Sequence, residues 1–127
     1  MGASSTGNDG ALYRAFRRTV IAKIERDLAA ERLAATKVLE LTMPRVRSSV
    51  GEARRQRLCT RAWLFGSFAW GQPTGRSDID LLLADCLDPD TVAVMVGHVV
   101  GRPVHVLKLE EAPASLVERA LRDGVPI

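Results

Sequence analysis

Two aspartates separated by one residue carry the clearest chemical signal in the sequence. Asp78 and Asp80 open an apolar run written SDIDLLL, and the alternation of a strand places both side chains on the same face. Carboxylates this close raise each other's pKa unless a cation lies between them. Mg²⁺ accepts one or two carboxylates together with phosphate oxygens and water. Taken alone, the pair fits a Mg²⁺ site or, equally, a capping residue followed by a solvated carboxylate.

A glycine–serine turn precedes this pair. Gly66 ends the short apolar run 62–65, and Ser67 opens a predicted helix, with ten residues between Ser67 and Asp78. The free N–H groups at a helix start, together with the serine hydroxyl, can hold a phosphate. Taken alone, this is an ordinary strand-to-helix turn. Followed by paired carboxylates, it matches what metal-assisted nucleotidyl transfer requires, namely one element for the triphosphate and another for the metal.

The elements that position these residues follow from periodicity and from the prolines. Residues 1–9 read as a flexible leader. Over 10–44 the apolar residues recur at helical spacing, and Pro44 is expected to end this long helix. A short helix starting near Ser48, strands near 62–65, 78–83 and 104–107, and helices near 89–100 and 113–122 complete a domain over 45–127. The expected class is α/β, with a small sheet flanked by helices behind a long N-terminal helix.

Charge is distributed unevenly along the chain of 127 residues. Residues 1–61 contain 13 Arg or Lys against 6 Asp or Glu, whereas residues 62–127 contain 5 against 9. The arginine-rich segment 45–61 fits a solvated helix face, a basic approach to a triphosphate, or a surface for RNA or an acidic partner. Aromatic residues make up only 5% of the chain, which disfavours base-stacking recognition of single strands.

The expected location is the cytoplasm. No apolar run approaches the roughly 18 residues that span a bilayer, and the first residues lack a signal-peptide core. Cys59 and Cys86 have no CxxC spacing, as expected of ordinary reduced thiols.

The combined pattern GSFAWGQPTGRSDIDLLL resembles the motif of the DNA polymerase beta-type nucleotidyltransferase superfamily, and most of all its minimal nucleotidyltransferases (MNT domains). The resemblance covers residues 60–125. It implies that Asp78 and Asp80 hold Mg²⁺ and that Gly66 and Ser67 hold ATP or another nucleoside triphosphate. It also implies a HEPN-type protein partner in a toxin–antitoxin pair, in which the MNT member transfers AMP to a hydroxyl of the toxin.

The chain departs from the family pattern at two places. Relatives commonly read GSxARG, whereas Phe68 and Trp70 stand here; Arg76 is the candidate to replace the lost phosphate contact, and Trp70 could stack on a base. The family's third carboxylate falls on the third strand, at the position of His105. Three interpretations of His105 stay open: an altered working catalyst in which the imidazole accepts the proton, a degenerate fold without turnover, or an ordinary strand residue.

Three functional hypotheses follow. The first is a Mg²⁺-dependent nucleotidyltransferase with Asp78, Asp80 and His105 as catalytic residues, acting as the antitoxin-like member of a pair. The second is the same fold without turnover, acting as an antitoxin or scaffold by contact. The third and weakest is a nucleic-acid-binding accessory protein that uses the arginine-rich segment. The long first helix adds a possible homodimer interface.

Overall fold

The computed structural model describes residues 2–127, with side chains from residue 9 onward. Four helices alternate with four short strands in this part of the chain, which confirms the predicted α/β class. In chain order they are α1 (Gly2–Arg55), β1 (Arg61–Phe65), α2 (Ser67–Trp70), β2 (Ile79–Ala84), α3 (Pro89–Val100), β3 (Val104–Lys108), α4 (Ala114–Asp123) and β4 (Val125–Pro126).

The chain divides into two compact units, and the division falls after Ala34, within α1. The second unit, Ala35–Ile127, contains every strand. The leader predicted for residues 1–9 lies, except for Asp9, outside the residues with described side chains. In the described part of the chain, no helix is both long enough and apolar enough to cross a membrane.

Helix α1 continues through Pro44 to Arg55, so the predicted end at Pro44 and the separate short helix after it are wrong. Proline inside a helix costs about 3 kcal/mol relative to alanine. Packing beyond the proline offsets this cost, because Val46, Val50 and Ala53 are fully buried in the core. Burying one aliphatic side chain stabilises a fold by about 1.5–3 kcal/mol. Tertiary burial therefore overrides the local stop signal.

Helix α3 has the ends that its sequence predicts. Asp88 caps it, since its carboxylate accepts a hydrogen bond from the backbone N–H of Thr91 at 3.1 Å. Pro89 follows at the first helical position, where its missing N–H costs nothing. Gly101 closes the helix in the left-handed conformation, with φ of 74°, which glycine adopts without strain.

The four strands form one mixed sheet in the order β3-β2-β1-β4. Strand β2 is antiparallel to β1 and parallel to β3. In this register Asp80 lies opposite Phe65 on one side and opposite His105 on the other. The carboxyl end of β1 therefore meets the amino ends of β2 and β3 at one edge of the sheet. Strand β4, which the sequence did not predict, pairs with β1 at Trp63 and Leu64.

Alternate residues of the strands give the sheet two different faces. The aliphatic face consists of Ala62, Leu64, Ile79, Leu81 and Leu83, all buried. It packs against apolar residues of α1 and α3. The aromatic face consists of Trp63, Phe65, Asp80, Leu82 and His105. It packs against α4, through residues such as Ala120 and Leu116.

Candidate active site

Gly66 forms the turn between β1 and α2, and two features of the backbone require glycine there. Its φ of 74° and ψ of −151° lie in a region that residues with a side chain avoid. A β-carbon at this position would also collide with Oδ2 of Asp80. The turn and the carboxylate are therefore in direct contact, which explains the glycine of the GS motif in steric terms.

Ser67 is the first residue of α2. Within this short helix the hydrogen-bonding pattern begins at Ala69 and Trp70, whose N–H groups both donate to the carbonyl of Gly66 at 3.0 Å. The N–H groups of Ser67 and Phe68 precede this pattern, as the first donors of a helix always do. Ser67 itself is half-buried. The first donors of α2 thus follow directly after the glycine that lies against the Asp80 carboxylate.

Asp78 and Asp80 have different environments although they are two residues apart. The Asp78 side chain is 40% exposed and that of Asp80 is 24% exposed. Burial raises the pKa of Asp80 above its ordinary value, and the nearby Asp78 charge raises it further, while His105 acts in the opposite direction. A carboxylate whose charge is disfavoured in this way gains from a cation beside it.

His105 lies against both carboxylates. Its Nδ1 is 3.5 Å from Oδ1 of Asp80, and its Nε2 is 3.8 Å from Oδ2 of Asp78. The imidazole is two-thirds exposed, which leaves it accessible from solvent. The structure therefore brings together Gly66, Asp78, Asp80 and His105 at the edge where β1, β2 and β3 meet.

Arg76 does not join this group. It lies in the exposed loop between α2 and β2, where its backbone N–H donates to the hydroxyl of Thr74 at 3.2 Å. Among the residues with described side chains, the Arg76 guanidinium makes no polar contact with the Gly66–Ser67 turn or with either aspartate. Its predicted contact with a triphosphate stays a prediction.

The chemistry of the donor set is compatible with a single Mg²⁺. Across residues 9–127, no three or more His, Cys, Asp or Glu side chains are arranged as a metal site. Two carboxylates nevertheless suffice for Mg²⁺ when substrate phosphate oxygens and water complete the octahedron. The imidazole of His105 is a poor ligand for this hard cation, which prefers oxygen. The donor chemistry of Asp78 and Asp80 is thus compatible with one Mg²⁺, whereas that of His105 is not.

Comparison of the structure with solved proteins identifies the fold. It is similar to a minimal nucleotidyltransferase with a TM-score of 0.61 and 26% identity, over 70% of this chain and 95% of that one. The chain has the fold of a minimal nucleotidyltransferase. No family model and no curated protein sequence matches it.

Two further similar structures share this nucleotidyltransferase fold. One is a toxin–antitoxin structure with AMP-PNP, at a TM-score of 0.54 and 20% identity, over 63% of this chain and 70% of that one. The other is a mutant of the toxin–antitoxin MntA–HpeT, at a TM-score of 0.52 and 20% identity, over 64% and 70%. At this identity they support the fold alone.

Two arginines that contact the surroundings of the candidate site could not be predicted from the sequence. Arg119 of α4 stacks on Trp70, with its guanidinium carbon 4.1 Å from the ring centroid, so one face of the proposed base platform is already covered. Arg102, in the turn before β3, donates hydrogen bonds into the loop that precedes Asp78. A single arginine between Gly101 and Pro103 carries no periodicity or motif that could have identified it.

The arginine-rich segment of this fold lies away from the carboxylates. A cavity of about 640 Å³ lies at the carboxyl end of α1 and includes Arg54, Arg55 and Arg57 in its lining. Arg54 donates to the carbonyls of Thr60 and Ile127, and Arg55 pairs with Glu52 at 2.8 Å. For Arg54 and Arg55, these contacts and the favourable position of cations at a helix carboxyl end favour the interpretation of the segment as a solvated helix face.

Proposed function

We propose that this chain is a Mg²⁺-dependent nucleotidyltransferase that transfers AMP from ATP to a hydroxyl of a partner protein. The observation that carries the proposal is the convergence of Gly66, Asp78, Asp80 and His105 at one sheet edge. The turn offers donors for phosphate, and the two carboxylates offer ligands for the cation that neutralises phosphate charge. Arg76 is a further candidate for binding the triphosphate.

The residues divide the reaction between them. The Gly66–Ser67 turn orients the triphosphate, and Asp78 and Asp80 would hold Mg²⁺, which when bound neutralises charge on the phosphates. The acceptor oxygen attacks the α-phosphorus, forming a new P–O bond while the bond to the β-phosphate oxygen breaks and pyrophosphate leaves. The acceptor proton passes to the imidazole of His105, which is exposed and placed at the carboxylates.

The partner is proposed to be a HEPN-type toxin, with this chain as the antitoxin-like member of the pair. The support is the fold shared with the two toxin–antitoxin structures. The first half of α1 offers a place for protein contact, since residues 9–34 expose large apolar side chains, among them Leu12 at 70%, Phe16 at 67% and Ile24 at 51%. Helices of this kind gain most of their stability from packing. A homodimer through this helix is the second possible use of the same surface.

A second function is favoured by one observation, namely the imidazole at the place of the family's third carboxylate. With two carboxylates only, the fold could bind and neutralise its partner without turnover. A nucleic-acid-binding role is the least supported, because the arginines at the end of α1 are engaged with the chain's own carbonyls and with Glu52.

The test is transfer of label from α-labelled ATP in the presence of Mg²⁺ to the product of the neighbouring gene. We expect transfer by the wild type and a loss of at least about 10³-fold in Asp78→Ala/Asp80→Ala, because electrostatic stabilisation of this kind supplies several kcal/mol. Arg54→Ala is the control away from the site. No transfer by the wild type, with partner binding that survives the double substitution, would establish the binding protein instead.

His105 has its own test. We expect His105→Ala to lower the rate by about 10²–10⁴-fold, the usual contribution of a general base, without loss of nucleotide binding. Activity that appears only in His105→Asp would show that the wild-type chain is a degenerate enzyme.

A further inference from the structure

Arg102 occupies the turn between α3 and β3, and its side chain reaches the loop in front of the aspartate pair. Its Nη1 donates to the carbonyl of Thr74 at 2.8 Å and to the carbonyl of Ser77 at 3.1 Å. Two carbonyls on one cationic nitrogen form charge-assisted hydrogen bonds, which are stronger than neutral ones. Arg102 is half-buried, so solvent competes with these bonds only in part.

The same turn holds the chain on the other side of Asp78. The N–H of Ile79 donates to the carbonyl of Pro103 at 3.0 Å. The residues immediately before and after Asp78 are therefore bonded to the consecutive residues 102 and 103. Asp78 precedes β2, which begins at Ile79, so the strand ladder alone does not fix its backbone.

Arg102 also contacts α2, the short helix that begins at the Gly66–Ser67 turn. Its guanidinium carbon lies 5.3 Å from the centroid of Phe68, which is buried and is the second residue of α2. A guanidinium over an aromatic ring is held in place by the ring's quadrupole. One side chain thus connects α2, the loop before Asp78 and the start of the strand that carries His105.

We propose that Arg102 is a positioning residue that holds the Asp78 carboxylate, and with it the metal site, in register with Asp80 and the Gly66–Ser67 turn. Part of this inference rests on the proposed function, since it assigns Asp78 to a metal. The hydrogen bonds from Arg102 to the carbonyls of Thr74 and Ser77, called the clamp below, are present in the free protein. Residues that orient metal ligands from outside the coordination sphere typically change metal affinity by about 10–100-fold when they are removed.

Arg54 offers a matched control for a merely structural arginine. It also donates to two backbone carbonyls, those of Thr60 and Ile127, both at 3.1 Å. Its contacts join the end of α1 to the carboxyl terminus of the chain, far along the sequence from the aspartates. Arg54→Ala therefore removes the same kind of interaction without touching the loop before Asp78.

The experiment compares wild type, Arg102→Ala, Arg102→Lys and Arg54→Ala by two measurements. The first is hydrogen–deuterium exchange of the peptide covering residues 74–80 in the metal-free protein. The second is Mn²⁺ affinity by electron paramagnetic resonance in the presence of a non-hydrolysable ATP analogue. We expect Arg102→Ala to speed exchange of that peptide and to weaken Mn²⁺ binding at least tenfold. Arg102→Lys should recover part of both effects, and Arg54→Ala should change neither.

The outcomes separate the two proposals. Unchanged exchange in Arg102→Ala overturns the clamp, whether or not the wild type binds Mn²⁺. Faster exchange with unchanged Mn²⁺ affinity overturns its role toward the metal site. A wild type that binds no Mn²⁺ contradicts the proposed function, while the exchange data still decide whether Arg102 holds the loop. If Arg54→Ala weakens Mn²⁺ binding as much as Arg102→Ala, the effect is general destabilisation and the inference fails.

Discussion

The two faces of the sheet differ in composition and in purpose. On the aliphatic face, Leu64, Ile79, Leu81 and Leu83 have no exposed surface. On the aromatic face, β2 carries a half-buried aspartate and β3 a mostly exposed histidine. Since successive residues of a strand alternate between faces, a single strand such as β2 supplies both core and site. The two faces thus place the candidate site next to the core without separating the two in sequence.

The largest test of this comparison is truncation on the aliphatic face. Leu81→Ala should lower the free energy of unfolding by about 2–5 kcal/mol, because it leaves a cavity in a closely packed core. The matched variant is Leu107→Ala, on the exposed side of β3 and 38% exposed, which should cost less than about 1 kcal/mol. Chemical denaturation measures both. Equal losses would mean that the two faces contribute alike to stability.

Gly66→Ala tests the contact between the turn after β1 and the carboxylate of Asp80. The strained backbone alone should cost about 1–3 kcal/mol, and the collision with Asp80 should displace that carboxylate and abolish Mn²⁺ binding. Gly101→Ala is the control, because Gly101 has the same φ of 74° but open space around its missing side chain. It should lose stability through the backbone only, and keep Mn²⁺ binding.

A double variant isolates the collision. In Gly66→Ala/Asp80→Ala the clashing oxygens are absent, so Gly66→Ala should cost less stability in the Asp80→Ala background than in the wild type, as a double-mutant cycle measures. Strict additivity would show that Gly66 is required for its backbone conformation alone.

The smallest expected effect concerns the stability cost of the site. Because burial raises the pKa of Asp80, the folded state binds the carboxyl proton of Asp80 more tightly than the unfolded chain does. The free energy of unfolding therefore declines as the pH rises from the ordinary aspartate pKa through the raised pKa of the folded state. Asp80→Asn should therefore be slightly more stable than wild type at pH 7. The difference should vanish below the ordinary aspartate pKa of 3.8. Thermal unfolding at several pH values measures it, and a destabilised Asp80→Asn at pH 7 would contradict the reasoning.

The residues of the candidate site could be predicted from the sequence, but Arg102, which holds the loop before Asp78, could not. Gly66, Asp78 and Asp80 could be named because a glycine turn and alternating strand residues form a linear pattern. His105 could be named because the resemblance to the nucleotidyltransferases aligns it with their third carboxylate. Arg102 could not, because its contacts with Thr74 and Ser77 exist only after the turn before β3 has docked. The difference is that a motif marks the site residues in the sequence, whereas no motif marks Arg102.

Two features of the fold also differ from what the sequence predicts, because they depend on tertiary contacts. The local chemistry of Pro44 predicts a helix end, but the burial of Val46 and Val50 in the core outweighs that local preference. Strand β4 is only two residues long and pairs with β1. Two residues are too few to show an alternation of apolar and polar side chains, so the sequence could not predict this strand.

The antiparallel pairing of β1 with β2 also has a kinetic consequence. Phe65 and Asp80 are 15 residues apart, whereas Leu64 and its β4 partner Val125 are 61 apart. Closing the longer loop costs roughly 1.2 kcal/mol more in chain entropy, so the hairpin that joins the glycine turn to the carboxylate should form before the carboxyl-terminal strand docks. Under this order, φ-values at Leu81 should exceed those at Val125. Gly66 and Asp80 of the candidate site would then meet early on the folding pathway, before the carboxyl-terminal strand pairs with β1.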